Sequence, residues 1–210
     1  MITVLSGGVG AARLLRALRA SPRPPETRAV VNVGDDLVLH GLTICPDLDT
    51  ILYTLAGLNN DQTGWGLAGE SWRVMAELEA IGGESWFRLG DRDLATHLYR
   101  TQRLATGATK TMVSAELVSA FGVDVTLLPV TDDPVATVFD STDGRLSFQE
   151  YFVRHHTRSP SSASRSSVRP VPERRRPRSR RSRRPAASSS RPRTPSSPST
   201  RSCRSPVFAT

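Results

Sequence analysis

The hydrophobic positions of this chain alternate between two periods. Residues 2–5 (Ile-Thr-Val-Leu) are a short apolar run of the kind that forms a buried strand. Residues 11–20 then place Leu14, Leu15 and Leu18 on one side of a helix and Arg13, Arg16 and Arg19 on the others. Pro22, Pro24 and Pro25 end it, because proline cannot continue the hydrogen-bond ladder. A second apolar strand follows at 29–33. Strand, helix and strand in that order predict a parallel sheet with a right-handed crossover, and hence the α/β class. Ile51, Leu52, Leu55 and Leu58 return at helical spacing, with Asp47 placed to cap that helix and Asp49 in its first turn. After a polar, Gly/Trp-rich connection at 59–72, the pattern predicts helices over 71–81, 94–103 and 111–121 and strands over 86–90 and 125–129. Asp91-Arg92-Asp93 would cap the second of these helices. Residues 135–139 and 146–152 alternate around Asp143-Gly144, the signal of a β-hairpin.

Polar and glycine positions fall at the ends of these elements. Ser6, Gly7, Gly8 and Gly10 join the first strand to the first helix. Glycines there let backbone approach an anion, while the free N–H groups and dipole of the helix N-terminus face it. The match to G-x-G-x-x-G is incomplete, since Arg13 stands at the last position, and the plain alternative is a Gly-rich β–α turn. No Gly-Lys-Ser/Thr follows, which argues against a Walker-type NTPase. Asn32-Val33-Gly34-Asp35-Asp36 lies after the second strand, at the same sheet edge, where ligands of parallel sheets bind. Asp35, Asp36, Asp47 and Asp49 exceed what a helix start requires. Near a phosphate loop they point to Mg²⁺, which takes a few carboxylates together with substrate phosphates, with Asp35, Asp36 and Asp49 as the expected ligands. His97 read alone is a structural histidine, and Arg88, Asp91, Arg92 and Asp93 read as a solvated ion-pair cluster.

Charge changes the picture of the last quarter. Residues 1–153 hold 12 Lys+Arg and 19 Asp+Glu, whereas residues 154–210 hold 16 Arg and one acid, Glu173. The second stretch also has 16 Ser and 9 Pro among its 57 residues, no hydrophobic period, and no aromatic before Phe208. Such a composition cannot bury enough surface to offset chain entropy, so a disordered basic tail is expected over 154–210 after one globular part over 1–153. Cys45 and Cys203 imply no disulfide framework. No signal-peptide pattern or membrane-length apolar run is present, so the expectation is a cytoplasmic protein without a membrane partner.

Five stretches taken together resemble one family. They are Ser6-Gly7-Gly8-Val9-Gly10, Asn32-Val33-Gly34-Asp35-Asp36, Pro46-Asp47-Leu48-Asp49-Thr50, Leu89-Gly90-Asp91-Arg92-Asp93-Leu94-Ala95-Thr96-His97, and Leu128-Pro129-Val130-Thr131-Asp132-Asp133-Pro134-Val135. In this order and spacing they resemble the 2-phospho-L-lactate transferases (CofD), whose actinobacterial members act as phosphoenolpyruvate transferases. The resemblance covers about residues 1–153 and implies a Rossmann-like fold with further inserted structure. It implies a step of coenzyme F-420 biosynthesis, in which a guanosine-diphospho-linked lactate or enolpyruvate gives its phosphoester portion to the deazaflavin alcohol FO. GMP leaves, and Mg²⁺ is required. The implied deazaflavin contacts are Asp49 and Arg88, the latter standing where relatives carry lysine, a swap that keeps the cation and changes donor geometry. Gly7, Gly8, Gly10 and Asn32 match the region that receives the guanosine diphosphate. Asp49 is also the residue assigned to the acceptor hydroxyl, as general base or as an orienting group.

The family continues through roughly as much chain again, and a homo-oligomer is expected for its full-length form. Here the arginine-rich stretch begins abruptly after the hairpin, inside an expected domain. Out-of-frame reading of GC-rich coding sequence explains that better than a genuine nucleic-acid-binding arm, and it implies a truncated, poorly active product. Two other classes stay open. An NAD(P)-dependent oxidoreductase explains the first loop, but predicts an acid at the end of the second strand, where this chain has Asn32. A nucleic-acid-binding protein explains the tail but not the acidic body.

Overall fold

The computed structural model describes residues 1–141, 144–154 and 167–170. The expected hairpin turn at 142–143 and most of the arginine-rich stretch lie outside the described residues. The opening pattern becomes β1 (Ile2–Ser6), α1 (Val9–Arg19) and β2 (Thr27–Val31). β2 is the middle strand of a parallel three-stranded sheet ordered β1-β2-β5, where β5 is Thr126–Pro129. Ile2 to Ser6 pair with Thr27 to Val31, and Arg28 to Val31 with Thr126 to Pro129. The sheet is buried at β2, whose Ala29 and Val31 are fully enclosed. It is open at β1, so the strand expected to be buried is an edge strand, with Leu5 83% exposed.

α2 (Pro46–Leu55) and α5 (Lys110–Ala120) complete the main core with α1. Ala12 and Leu15 of α1 meet Leu48, Ile51, Leu52 and Tyr53 of α2 and Val113 and Leu117 of α5 in one apolar cluster. Removing those surfaces from water is the chief stabilising contribution of this layer. Arg19 fastens the two helices: its Nη1 donates to the Leu55 carbonyl at 2.6 Å, satisfying a helix C-terminus, and its Nε pairs with Asp124 at 2.6 Å.

The sequence pattern misses a short hairpin, β3 (Leu37–Leu39) and β4 (Leu42–Ile44). His40 and Gly41 form its turn with φ of 52° and 77°, the two positive values that a two-residue turn of matching twist requires. Leu39 and Ile44 join Met75 of α3 (Arg73–Ala80) and Leu89 in a second cluster, and Trp86 and Phe87 pack against it. Residues 86–90 are therefore not the strand expected. Their apolar side chains are taken up by this cluster, and no neighbouring strand offers them a ladder.

α4 (Asp91–Ala105) starts three residues earlier than its apolar period indicated. The carboxylates around its start are exchanged between two helices. Asp91 accepts from Arg73 N and Val74 N, both at 3.2 Å, and so caps α3. Glu70 accepts from Arg92 N at 2.8 Å and Asp93 N at 2.9 Å, and so caps α4. Arg92 donates to the Ala68 carbonyl, and the Arg88 guanidinium lies 5.0 Å from the centre of the Trp72 ring. These residues are a structural clasp, not a loose ionic cluster.

β6 (Val135–Ser141) and β7 (Gly144–Ser147) pair antiparallel, as the alternation predicts. β7 stops at Ser147, short of the expected residue 152. Ser147 N donates to Glu150 Oε2 at 2.9 Å and Glu150 N to Ser147 Oγ at 3.2 Å, a reciprocal cap that opens the π-helical turn Glu150–Arg154. Phe139 stacks on Tyr151 at 4.7 Å and Phe148 on Phe152 at 4.5 Å, which holds that turn against the hairpin. Within the stretch expected to lack structure, Ser167–Pro170 forms β8, antiparallel to β6.

Candidate active site

The glycine loop and the first turn of α2 face one another. Gly8 is the N-cap residue of α1, and no side chain bonds to that helix start, nor does its first turn hold an acid. Its leading N–H groups are thus available to an anion. A Cβ on Gly8 would lie 2.8 Å from Asp47 Oδ1, and one on Gly7 3.9 Å from Asp47 Oδ2, so Gly8 is required by this close approach. At Gly10 a Cβ would meet nothing within 4 Å. Asp47 does not cap α2 as expected. Its Oδ2 accepts from Asn32 Nδ2 at 2.9 Å, while Asn32 Oδ1 accepts from Gly34 N at 3.0 Å. Asn32 is the bracket between the end of β2 and α2, and no acid stands at that strand end.

Asp35 and Asp36 diverge from each other. Asp36 is paired with Lys110 Nζ at 2.7 Å; burial still pushes its carboxyl up, against the pull of that lysine. Among the described residues Asp35 has no such cation. Burial and then the negative charge of Asp47 raise it to about 6, against the Asn32 hydrogen bond. Asp47 is raised by burial as well. Two carboxylates whose ionisation burial opposes, one of them also repelled by the other's charge, lie beside an anion-ready helix start, and a divalent cation there would relieve both.

Two residues along α2, Asp49 faces a different environment. Both its oxygens accept from the Arg100 guanidinium, Oδ2 at 3.1 Å and Oδ1 in a closer contact from Nη2. His97 Nδ1 lies 3.3 Å from Arg100 Nη1 and 3.7 Å from Asp49 Oδ2. Its Nε2 lies 3.2 Å from Asp93 Oδ2 yet is too poorly aligned for a hydrogen bond, which leaves a fully buried nitrogen unsatisfied. Tyr53 OH donates to Asp93 Oδ1 at 2.6 Å. Burial drives the Tyr53 hydroxyl up, and Asp49 and Asp93 add to it; burial of Asp93 is outweighed by His97, Tyr53 and Arg100, which lower it. Asp93, His97 and Arg100 recur at helical spacing on α4, so the buried face of that helix is polar.

This network forms one wall of a cavity of about 320 Å³. Asp49, Tyr53, Trp65, Phe87 and Arg88 line it, and Gln149 and Val153 close it from the segment after β7. Asp49 and Arg88, far apart in sequence, therefore share a pocket with aromatic walls and one cation. Arg88 reaches it supported on Trp72.

The three aspartates expected to ligate one metal do not form one group. Among the described residues, a single set of acid and histidine ligand atoms, from Asp49, Asp93 and His97, converges within 4.8 Å. Asp49 there already shares both oxygens with a guanidinium. His97 and Arg100 were missed as site residues. Their signal was a helix with polar residues at 93, 97 and 100 facing inward while Leu98 and Tyr99 face solvent.

Among the described residues no helix is long and apolar enough to cross a membrane. Residues 2–181 match the family described as 2-phospho-L-lactate transferase CofD. The chain is 46% identical over 161 residues to a phosphoenolpyruvate transferase of Kitasatospora aureofaciens, covering 74% of this chain and 50% of that protein. It is 45% identical over 167 residues to a phosphoenolpyruvate transferase of Streptomyces coelicolor, covering 77% and 52%. A crystal structure of a UPF0052-family protein from Bacillus halodurans aligns over 81% of this chain and 53% of that one, with 16% identity and a TM-score of 0.46. The chain spans about half the length of the curated relatives it matches. Matched over residues 2–181, the chain belongs to the CofD family of 2-phospho-L-lactate transferases.

Proposed function

We propose that this chain carries the acceptor side and one wall of the donor side of a coenzyme F-420 biosynthetic transferase. The reaction moves a phospholactyl or phosphoenolpyruvyl group from a guanosine-diphospho-linked donor to the deazaflavin FO, releasing GMP. The observation that carries the reading is the meeting of Asp49 and Arg88 in one aromatic-walled cavity. A flat tricyclic ring fits between Tyr53, Trp65 and Phe87, and Arg88 supplies a cation for its polar edge.

The first turn of α2 then stands between the two substrates, with Asp47 toward the glycine loop and Asp49 toward the cavity. The acceptor hydroxyl oxygen attacks the phosphorus bearing the lactyl or enolpyruvyl ester. The bond from that phosphorus to the bridging oxygen breaks, the electron pair leaves with GMP, and the hydroxyl proton passes to solvent or to the departing GMP phosphate. Such a transfer needs positioning and charge stabilisation more than covalent help. Asp49, held on both oxygens by Arg100, serves as an acceptor that orients the hydroxyl. The N–H groups at the start of α1 and the Gly7-Gly8 backbone bind the diphosphate.

Mg²⁺, when bound, would offset the diphosphate charge. The donor set beside the glycine loop fits it: Asp35 and Asp47 are oxygen ligands that no described cation pairs with. Asp36, tied to Lys110, and Asp49, tied to Arg100, fit less well than the sequence led one to expect. The proposed division is an N-terminal transferase part over 1–153 and an out-of-frame basic stretch over 154–210, with the family match itself running to residue 181. A homo-oligomer belongs to the full-length form.

Thermal unfolding of the 210-residue chain tests the reading through linkage. FO should raise the midpoint, and GDP with Mg²⁺ should add to that rise. Stabilisation by NAD(P) alone would favour the oxidoreductase reading. Salt-sensitive binding of RNA without any response to FO would favour the nucleic-acid reading.

A further inference from the structure

Most polar groups that line the cavity beside α2 and α4 are taken up by one another. Asp49 is held by Arg100, Tyr53 OH donates to Asp93, and His97 stands between the two carboxylates. Two further polar side chains line the cavity and are also buried: Thr50, 8% exposed, and Gln149, 9% exposed. Among the described residues neither the Thr50 hydroxyl nor the Gln149 carboxamide has a hydrogen-bond partner. Buried carboxamides are normally paired, because leaving water costs free energy that only a new hydrogen bond offsets. An unpartnered one at a cavity wall points to a ligand that would pair with it.

Gln149 is also held in place before any ligand arrives. It lies inside the turn that Ser147 and Glu150 close with their reciprocal bonds at 2.9 and 3.2 Å. Its neighbour Phe148 stacks on Phe152, and Tyr151 stacks on Phe139. A carboxamide fixed in this way offers a donor and an acceptor side by side, a two-point pattern that a single hydroxyl lacks. Arg88 in the same cavity offers donors only, so it attracts an electron-rich edge without identifying it.

We propose that Gln149 is a specificity-determining residue of this cavity, its carboxamide pairing with the imide edge of the deazaflavin ring. That edge presents a carbonyl, an N–H and a second carbonyl in a row. The amide nitrogen of Gln149 donates to one ring carbonyl, and its amide oxygen accepts from the ring N–H. A carboxamide reads a nucleobase edge by the same two-point geometry. A flat ring of equal size that lacks the N–H leaves the buried amide oxygen unpaired and is rejected. The inference rests on the deazaflavin reading of the cavity given above, and adds the residue that tells this ring from other flat aromatics.

Calorimetric titration of the full 210-residue chain with FO, and with FO methylated at that ring nitrogen, tests the assignment. The native chain should bind FO about tenfold or more tightly than the methylated ring. Gln149→Leu, close in volume and without polar atoms, should weaken FO alone and bring the two affinities within about threefold of each other. A purely structural role would weaken both ligands alike, so a ratio that survives Gln149→Leu overturns the proposal. Equal affinities of the native chain for the two ligands overturn it without any variant, while FO binding itself leaves the reading of the cavity standing. If neither ligand binds, the deazaflavin reading fails and the assignment of Gln149 falls with it.

Discussion

The α2–α4 face and the β1 edge of this molecule differ in how far the described residues enclose them. On the first, Asp49, Tyr53, Asp93, His97 and Arg100 are enclosed and bonded to one another, with a cavity formed beside them. On the second, an uncapped helix start adjoins a strand rich in apolar residues whose Leu5 is 83% exposed. The bonded pair Asp49 and Arg100 lies 51 positions apart, and the cavity beside it is closed by Gln149 and Val153 from the segment after β7. The second region needs structure that the described residues do not supply.

Breaking the enclosed network should have the largest effect. Arg100→Met strands the Asp49 carboxylate in the interior, and removal of one partner of a buried pair costs roughly 3–5 kcal/mol. Urea unfolding should show that loss, and adding Asp49→Asn to the same chain should recover a good part of it. If the single change is neutral, Asp49 is solvated and the cavity wall is not rigid.

Two leucines sharpen the contrast. Leu15 is fully buried and Leu5 is 83% exposed. Leu15→Ala should destabilise by about 2–5 kcal/mol, whereas Leu5→Ala should stay within about 0.5 kcal/mol. Equal losses in denaturant would mean that β1 is covered in solution. A smaller effect is expected at the clasp between α3 and α4. Glu70→Ala removes the cap from Arg92 N and Asp93 N and should cost roughly 0.5–2 kcal/mol. It should also weaken FO binding, because Asp93 stands in the cavity wall; unaltered affinity would separate the clasp from the site.

The smallest effect concerns a pair on the α4–α5 surface. Bonds from Arg103 and Tyr99 lower Glu116 to about 2. A depressed carboxyl contributes stability above its unfolded value near 4.5 and loses it as the pH falls toward 2. Glu116→Gln should therefore lower the melting temperature slightly at pH 7, and the difference should vanish as the pH approaches 2. A difference that persists at pH 2 would show that the glutamine disturbs packing and not charge.

How much of this could be read from the sequence depended on whether the cause was local. The β1–α1–β2 order followed from two short apolar runs, a period near 3.6 between them and a proline stop. The β3–β4 hairpin was missed because its turn is His40-Gly41 and its strands have three residues each, too few to establish alternation. The run at 86–90 looked like a strand because Trp, Phe and Leu favour strands, but its neighbours in space are helix and hairpin. Asp47 and Asp49 stood out by type and number, whereas their partners did not. Asn32, 15 positions away from Asp47, and Arg100, 51 positions away from Asp49, are brought to them only by tertiary packing. For the same reason sequence placed Asp36 and Asp49 with a metal, while folding gives each a basic side chain.

The central claim is that the enclosed cavity receives the deazaflavin without help from the open edge. Calorimetric titration of FO into the 210-residue chain, with no nucleotide present, tests it most directly. One-to-one binding by the native chain, weakened at least tenfold by Arg88→Ala, is the predicted result. Absence of binding, or equal affinity in the Arg88→Ala variant, would contradict it.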